Sequence, residues 1–156
     1  MTFSKDIQTY WQRFCDHSGT AHQTPYGAFA FGDTPAMADE LVQLVLAGKK
    51  TGTSSGYELY LLPGDTEALQ QTGQIDIILD GRQQPVGVIQ NIRVDVLPFK
   101  DVSDDQARKE GEGDLSLDYW RRVHIKFWEP YYQQHSLPFN AQTPVVYEEF
   151  KVIYSN

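Results

Sequence analysis

The stretch Gly48-Lys49-Lys50-Thr51-Gly52-Thr53 lies where a helical pattern ends and an extended pattern begins. A helix that ends at Gly48 places Lys50 and Thr53 on the turn and strand that follow. Their odd spacing puts the two side chains on opposite faces of a regular strand, so they share a pocket only where Gly52 bends the chain. A lysine beside a hydroxyl in a partly dry pocket can lose its proton and activate that hydroxyl as a nucleophile. The stretch therefore indicates a candidate catalytic pair, with ordinary helix capping and strand formation as the alternative.

Composition limits the class of protein. The chain has 156 residues, of which 40% are hydrophobic and 22% are charged, as is typical of one soluble globular domain. The formal charge of −8 argues against broad binding to nucleic acid, so double-stranded DNA is not an expected partner. No apolar run approaches the ~18 residues that cross a bilayer, and no membrane partner is expected. A single cysteine, Cys15, fits a reducing cytoplasm.

Periodicity and turn signals outline the secondary structure. Helices are predicted over residues 4–14, 34–48, 103–110 and from 114–116 to about 129. Extended segments are predicted at 26–31, 75–79, 85–97 and 144–154, with a bulge at 90–91 and a turn at 63–65. Hairpin strands with helices at the rim indicate an α+β fold, a small and mainly antiparallel β-barrel with peripheral helices.

Acids and cations cluster in two later segments. Glu110, Glu112 and Asp114 follow one another on a glycine-rich helix end, where the alternative is a solvated acidic turn. The next helix carries cations and aromatic residues, namely Trp120, Arg121, Arg122, Lys126, Phe127 and Trp128. Its cations can contact phosphates or form a solvated helix face. Trp120 and Phe127 are seven residues apart, which predicts that both face the core and leaves Trp128 as the expected stacking surface.

With these segments in this order, the chain resembles the ASCH domain family, whose fold is a β-barrel like that of PUA domains. The resemblance rests on Gly48, Lys50 and Thr53 of a Gly-x-Lys-x-x-Thr pattern, and on Glu110 at the helix end. The turn at 63–65 and the closing strand at 145–154 also match the layout. The resemblance covers roughly residues 26–154 and implies a single domain over 1–156, with the helix at about 4–15 as an addition seen in longer members.

The resemblance implies a hydrolase. Small bacterial ASCH proteins that look like this chain at the lysine, threonine and glutamate hydrolyse cytidine acylated on its exocyclic amine. Carried over, Lys50 is the base, Thr53 the nucleophile and Glu110 a proton relay or ligand anchor. The expected partner is a small nucleoside-type substrate, and no cofactor is expected. The candidate substrate-binding residues are Lys49, Thr51, Ser54, Arg121, Arg122 and Trp128.

Several alternatives stay open at this point. A lysine with the ordinary pKa near ~10.4 is a poor base at neutral pH; burial lowers that pKa, whereas a nearby carboxylate raises it. Thr51, Ser54 and Ser55 are further candidate hydroxyls, and Lys49 is a second amine. The first helix can cover or reshape the pocket. Other ASCH members are linked to single-stranded RNA, as binders or as metal-dependent ribonucleases that need a divalent ion.

The sequence lacks the motifs of two other site classes. The histidines His17, His22, His124 and His135 show no metal-ligand spacing, so no structural metal site is expected. A transient divalent ion on Glu110, Glu112 or Asp114 is the alternative. The lysine stretch lacks the upstream glycine of a phosphate-binding P-loop.

Overall fold

The computed structural model describes residues 2–64 and 68–156. Within that part of the chain the helices are α1 (Lys5–Ser18), α2 (Pro35–Leu46), α3 (Asp104–Lys109) and α4 (Leu117–Gln134). The strands are β1 (Gly27–Ala30), β2 (Gly52–Gly56), β3 (Ile75–Leu79), β4 (Pro85–Pro98) and β5 (Pro144–Ser155). Short 3₁₀ turns lie at Tyr57–Leu61 and Phe99–Asp101. Of the turn predicted at 63–65, Asp65 lies outside the described residues.

The strands form one sheet in the order β1-β3-β4-β5-β2. β1 runs parallel to β3, and the other neighbouring pairs are antiparallel. The register between β4 and β5 shifts after Val88 and again after Asn91, beside the predicted bulge, and such shifts bend and twist a strand. The predicted α+β class and the mainly antiparallel sheet are confirmed. Because β1 and β2 remain edges, the sheet is a half-barrel and not a closed barrel.

Each helix begins at a hydroxyl that accepts a hydrogen bond from a backbone N–H in the first turn. These caps are Ser4, Thr34, Ser103 and Ser116. The predicted end of α4 near Glu129 is wrong, because the helix continues through Pro130 to Gln134. A proline inside a helix removes one backbone donor, but the buried side chains of Trp128 and Tyr132 hold both sides of this position against the core.

Three buried clusters pack against the sheet. The first joins α1 to β3 and β4, the second joins α2 to β3, β4 and β5, and the third joins α3 and α4 to β5. Cys15 lies in the first cluster, where burial raises the pKa of its thiol. Among the described residues, no helix has both the length and the apolar character needed to cross a bilayer.

The connection between α2 and β2 is held from both sides. The backbone N–H of Lys50 donates to the carbonyl of Leu44 in α2, at 3.1 Å. The N–H of Thr51 donates to the carbonyl of Lys109 at the end of α3, at 2.7 Å, and the Thr51 carbonyl accepts from the N–H of Phe150 in β5, at 3.0 Å. These bonds fix the backbone that carries the candidate lysine.

Gly111 allows the segment after α3 to approach this connection. Its φ is +74°, and a Cβ there would lie 2.3 Å from the carbonyl oxygen of Lys49.

Gly19 has a similar φ of +78° with nothing within 4 Å of an added Cβ. We expect Gly19→Ala to lower the free energy of unfolding by about 1–2 kcal/mol through backbone strain alone. Gly111→Ala should cost about 1–3 kcal/mol more, because the clash adds to the same strain. Urea denaturation measures both losses, and equal losses would contradict the close approach.

Candidate functional site

Lys50 is a buried cation, with only 2% of its surface exposed. Its Nζ donates to the carbonyl of Gly52 at 2.9 Å, to Oε2 of Glu112 at 2.9 Å and to the carbonyl of Glu110 at 3.3 Å. These three acceptors match the three protons of an ammonium group. The ring of Phe31 lies 5.6 Å from Nζ, within the range of a cation–π interaction.

Glu110 is equally buried and accepts hydrogen bonds from two elements. Its Oε2 accepts from the indole Nε1 of Trp120 at 2.6 Å and from the hydroxyl of Ser54 at 2.8 Å. Its Oε1 lies 3.9 Å from Nζ of Lys50 and 3.7 Å from Nε2 of His124. The carboxylate therefore joins the end of α3 to β2, to α4 and to the buried lysine.

The acidic turn after α3 divides into three environments. Glu110 is fully buried, Glu112 is partly exposed and pairs with Lys50, and Asp114 faces solvent. The Oδ1 of Asp114 accepts from the hydroxyl and the backbone N–H of Ser116 at the start of α4. These hydrogen bonds hold the pKa of Asp114 below its ordinary value. The alternative of a solvated acidic turn therefore describes Asp114 and is wrong for Glu110.

A cleft of about 230 Å³ lies between α2 and α4, with β2 contributing to its wall. Its polar lining consists of Lys50, Thr53, Ser54, Glu110, Glu112 and His124. Its apolar lining consists of Phe31, Gly32, Met37, Leu41, Val123, Phe127 and Trp128. The cleft thus places a polar, hydrogen-bonding group of side chains beside aromatic surfaces, as small-molecule sites do.

Thr53 and Ser54 lie in the edge strand β2, where they pair opposite Glu148 and Tyr147 of β5. Both residues line the cleft and also an adjoining cavity of about 410 Å³. The structure therefore brings Thr53 and Lys50 into one cleft.

The other predicted binding residues of the lysine stretch lie outside this lining. Lys49 is exposed on the surface. The hydroxyl of Thr51 donates to the carbonyl of Lys109 at 3.4 Å, so this side chain joins the connection to α3.

The two predicted arginines of α4 also lie away from the cleft. Arg121 donates to the carbonyl of Lys100 at 3.0 Å and lines a separate cavity of about 320 Å³. The guanidinium of Arg122 lies 5.6 Å from the ring centre of Tyr119. Both side chains are thus occupied by their own helix or by a neighbouring segment.

The aromatic residues near the end of α4 differ from the prediction. Phe127, which was predicted to face the core, is 48% exposed and lines the cleft. Trp128, the predicted stacking surface, is buried against Phe99 and Trp120 and reaches the cleft from the core side. Neighbouring positions on a helix point about 100° apart, and the side of α4 that faces the core includes Trp128.

Comparison with known proteins identifies the family. The family model of the ASCH domain matches residues 27–154. The chain belongs to the ASCH domain family. The predicted resemblance is therefore confirmed, and with it the PUA-like fold, which is found in RNA-binding and hydrolase-type domains. No curated protein is significantly similar to this ASCH protein.

Two solved structures are similar to it over nearly their whole length. A crystal structure of protein EF3133 from Enterococcus faecalis V583, with the family designation DUF984, is 34% identical. That match covers 97% of this chain and 90% of the other, with a TM-score of 0.85. A crystal structure of an ASCH domain from Lactobacillus crispatus JV V101 is 25% identical and covers 99% of this chain and 98% of the other, with a TM-score of 0.89.

Two side chains of this ASCH site were not among the sequence candidates for catalysis or binding. Glu112 pairs with Lys50, and His124 contacts Ser54 from α4. A signal for His124 was present, because Trp120, His124 and Trp128 recur at intervals of four residues and so lie on one helix face. Metal-ligand spacing does not identify a histidine whose contact comes from a distant strand.

Metal binding receives no support from the carboxylates. In residues 2–64 and 68–156, no group of three or more His, Cys, Asp or Glu side chains could hold a metal ion. The acids after α3 instead have protein partners of their own.

Removal of the buried cation should be costly for stability. Lys50→Met removes the buried cation that faces Glu110 and pairs with Glu112, and we expect a loss of about 3–5 kcal/mol in the free energy of unfolding. Adding Glu110→Gln should recover part of this loss, because a buried negative charge is then removed. Urea denaturation followed by tryptophan fluorescence measures these changes.

A matched control is Arg93→Met, which breaks the exposed pair of Arg93 with Asp95. Exposed pairs contribute about 0–1 kcal/mol, so this variant should remain close to the parent. A loss for Lys50→Met no larger than that of the control would contradict the assigned role of the buried pair.

Proposed function

We propose that this ASCH protein is an amidohydrolase that cleaves the amide of an acylated exocyclic amine, on cytidine or a similar small nucleoside. The observation that carries the proposal is the convergence of Lys50, Thr53 and Glu110 on one cleft. A buried amine, a hydroxyl and a carboxylate in one small cleft form the set of groups that nucleophilic amide hydrolysis uses.

The size and lining of the cleft support a small substrate. A volume of about 230 Å³ suits a compact molecule, and the exposed ring of Phe127 offers a flat apolar surface for a base. The formal charge of −8 disfavours a polyanionic polymer over such a molecule. We therefore propose that the aromatic wall contacts the nucleobase and that the polar lining contacts the amide.

We assign the nucleophile to Thr53. The neighbouring hydroxyl of Ser54 has one proton, which it donates to Oε2 of Glu110 at 2.8 Å. This bond gives Ser54 a positioning role toward the carboxylate. Thr53 lines the same cleft and carries the attacking oxygen in this proposal.

The base is assigned to Lys50, with Glu112 as the group that takes its extra proton. A base needs a lone pair, and Nζ is surrounded by three acceptors, so one ammonium proton has to leave before the reaction. Among these acceptors, Oε2 of Glu112 can receive a proton, and this side chain is 26% exposed and can exchange the proton with water. Glu110 then anchors the substrate or the hydroxyl of Ser54.

The parent protein should deacylate acylated cytidines. The change in cytosine absorbance measures this reaction. Lys50→Ala and Lys50→Arg should both lose at least about 10²-fold in kcat, because arginine stays protonated and cannot act as a base. Lys151→Arg, on the exposed surface of β5, is the matched control and should keep the parent rate. Circular dichroism must first verify that each variant is folded. No turnover by the parent across several acyl groups would reject the proposed function, and strong turnover by folded Lys50→Arg would reject the base.

The two neighbouring hydroxyls can be separated by substitution. Thr53→Ala should lower kcat by at least about 10³-fold if the reaction needs its oxygen as the nucleophile, and Thr53→Ser should retain measurable activity. Ser54→Ala should cost about tenfold, through loss of one hydrogen bond to Glu110. Single-turnover kinetics with an acylated cytidine measure these rates. The reverse order, with Ser54→Ala inactive and Thr53→Ala active, would move the nucleophile to Ser54.

The alternative of a single-stranded RNA-binding module or metal-dependent ribonuclease has no comparable support. Arg121 and Arg122 lie away from the cleft, and the described part of the chain has no group of three or more His, Cys, Asp or Glu side chains suited to a metal ion. Binding to single-stranded RNA that weakens steeply with salt would favour this alternative.

A further inference from the structure

His124 has an orientation that the assigned roles of Lys50, Thr53 and Glu110 leave unexplained. Its Nδ1 lies 2.7 Å from the carbonyl oxygen of Trp120, one turn earlier in α4. Because a carbonyl oxygen only accepts, Nδ1 carries a proton and donates it. The imidazole is stacked on the indole of Trp120, with ring centres 4.2 Å apart and planes 24° apart. Carbonyl and indole together fix the ring so that Nε2 is the nitrogen directed to Ser54 and Glu110.

The hydrogen bonds of Ser54 indicate that Nε2 of His124 also carries a proton. Nε2 lies 3.3 Å from the hydroxyl oxygen of Ser54, and that hydroxyl donates its own proton to Glu110 over the shorter distance of 2.8 Å. Ser54 therefore presents a lone pair to the imidazole, and a proton on Nε2 completes the bond. Oε1 of Glu110, at 3.7 Å from Nε2, lies beside the same proton. His124 lines the cleft together with Thr53, and 15% of its side chain is exposed.

We propose that His124 is a further catalytic residue, the general acid that gives its Nε2 proton to the leaving nitrogen of the scissile amide. Ser54 and Glu110 are the positioning residues that hold Nε2 in place. The inference rests on the proposed amide hydrolysis and deepens it, because it specifies a substrate whose leaving group is a nitrogen that must be protonated. An amide nitrogen leaves as a neutral amine only when a proton reaches it as the C–N bond breaks.

The proton transfers balance over two half-reactions. In the first, Oγ1 of Thr53 bonds to the acyl carbon, and its proton passes to the neutral amine of Lys50. The C–N bond then breaks, its electron pair stays on the exocyclic nitrogen, and this nitrogen takes the proton from Nε2 of His124.

In the second half-reaction, the oxygen of a water molecule bonds to the acyl carbon, and one water proton passes to the neutral Nε2 of His124. The bond from the acyl carbon to Oγ1 breaks, and Lys50 returns its proton to Thr53. One water is consumed, the acid and the amine are released, and all three side chains regain their starting protonation.

The test compares two substrates that carry the same acyl group. One is an acylated cytidine, whose leaving nitrogen needs a proton; the other is a 4-nitrophenyl ester, whose leaving phenolate needs none. His124→Gln keeps a hydrogen-bonding side chain but has no proton acidic enough to transfer, and His124→Phe keeps an aromatic ring against Trp120. We expect both variants to lose about 10²–10³-fold in kcat on the amide with KM within about threefold. On the ester, the initial burst of 4-nitrophenolate reports acylation of Thr53 alone, and its rate should stay within about fivefold of the parent in both variants. His135→Gln, at the exposed end of α4, is the matched control and should match the parent on both substrates.

The outcomes separate the two proposals. Parent turnover of the amide with a His124→Gln variant that keeps more than a third of the parent kcat would overturn the role of His124 and leave the amidohydrolase in place. Equal losses in amide turnover and in the rate of the ester burst, or a loss confined to KM, would reduce His124 to a structural or binding residue. A parent that is inactive on the amide would overturn the proposed function, and this inference with it.

Discussion

The rest of the site depends on one constraint, the burial of the Lys50 cation. A charged amine in the protein interior is tolerated only when acceptors surround it. In this protein the acceptors come from the carbonyl of Gly52 at the start of β2 and from the segment after α3 that contains Glu110 and Glu112. The same cation therefore holds two distant parts of the chain together. Because Gly111 allows the two backbones to approach closely, the start of the acidic segment sits against the connection between α2 and β2, and Glu110 is withdrawn from solvent.

The polar groups of the site form a connected network inside an aromatic frame. Trp120 packs against Phe99 and Trp128 while its indole N–H donates to Glu110, so one side chain serves both the core and the site. Interactions between polar groups are stronger in such a low-dielectric setting than in water, and each unmade hydrogen bond is correspondingly costly. The stability of this region and its chemistry therefore depend on the same contacts.

The first helix does not line the cleft, although the sequence left open that it covers or reshapes the pocket. α1 lies before the region matched by the ASCH family model, and its buried residues pack with β3 and β4. None of the residues in that cluster lines the cleft between α2 and α4. α1 thus extends the hydrophobic core on one part of the half-barrel and does not cover the described cleft. The cleft is built from segments within the family region.

The sequence by itself determined where helices begin and which segments are extended, because local signals set them: Thr34-Pro35 begins α2, Ser103 begins α3, and alternating β-branched residues form β4. It also pointed to Lys50 and Glu110 as site candidates through their order along the chain. Only the tertiary structure decided which groups meet. The separation of Ser54 from His124 by 70 residues leaves no local periodicity that joins them, and Glu112 lies 62 residues from its partner Lys50. Such contacts form only when β2, α4 and the segment after α3 are packed together. Side-chain burial and backbone hydrogen bonding determine that packing.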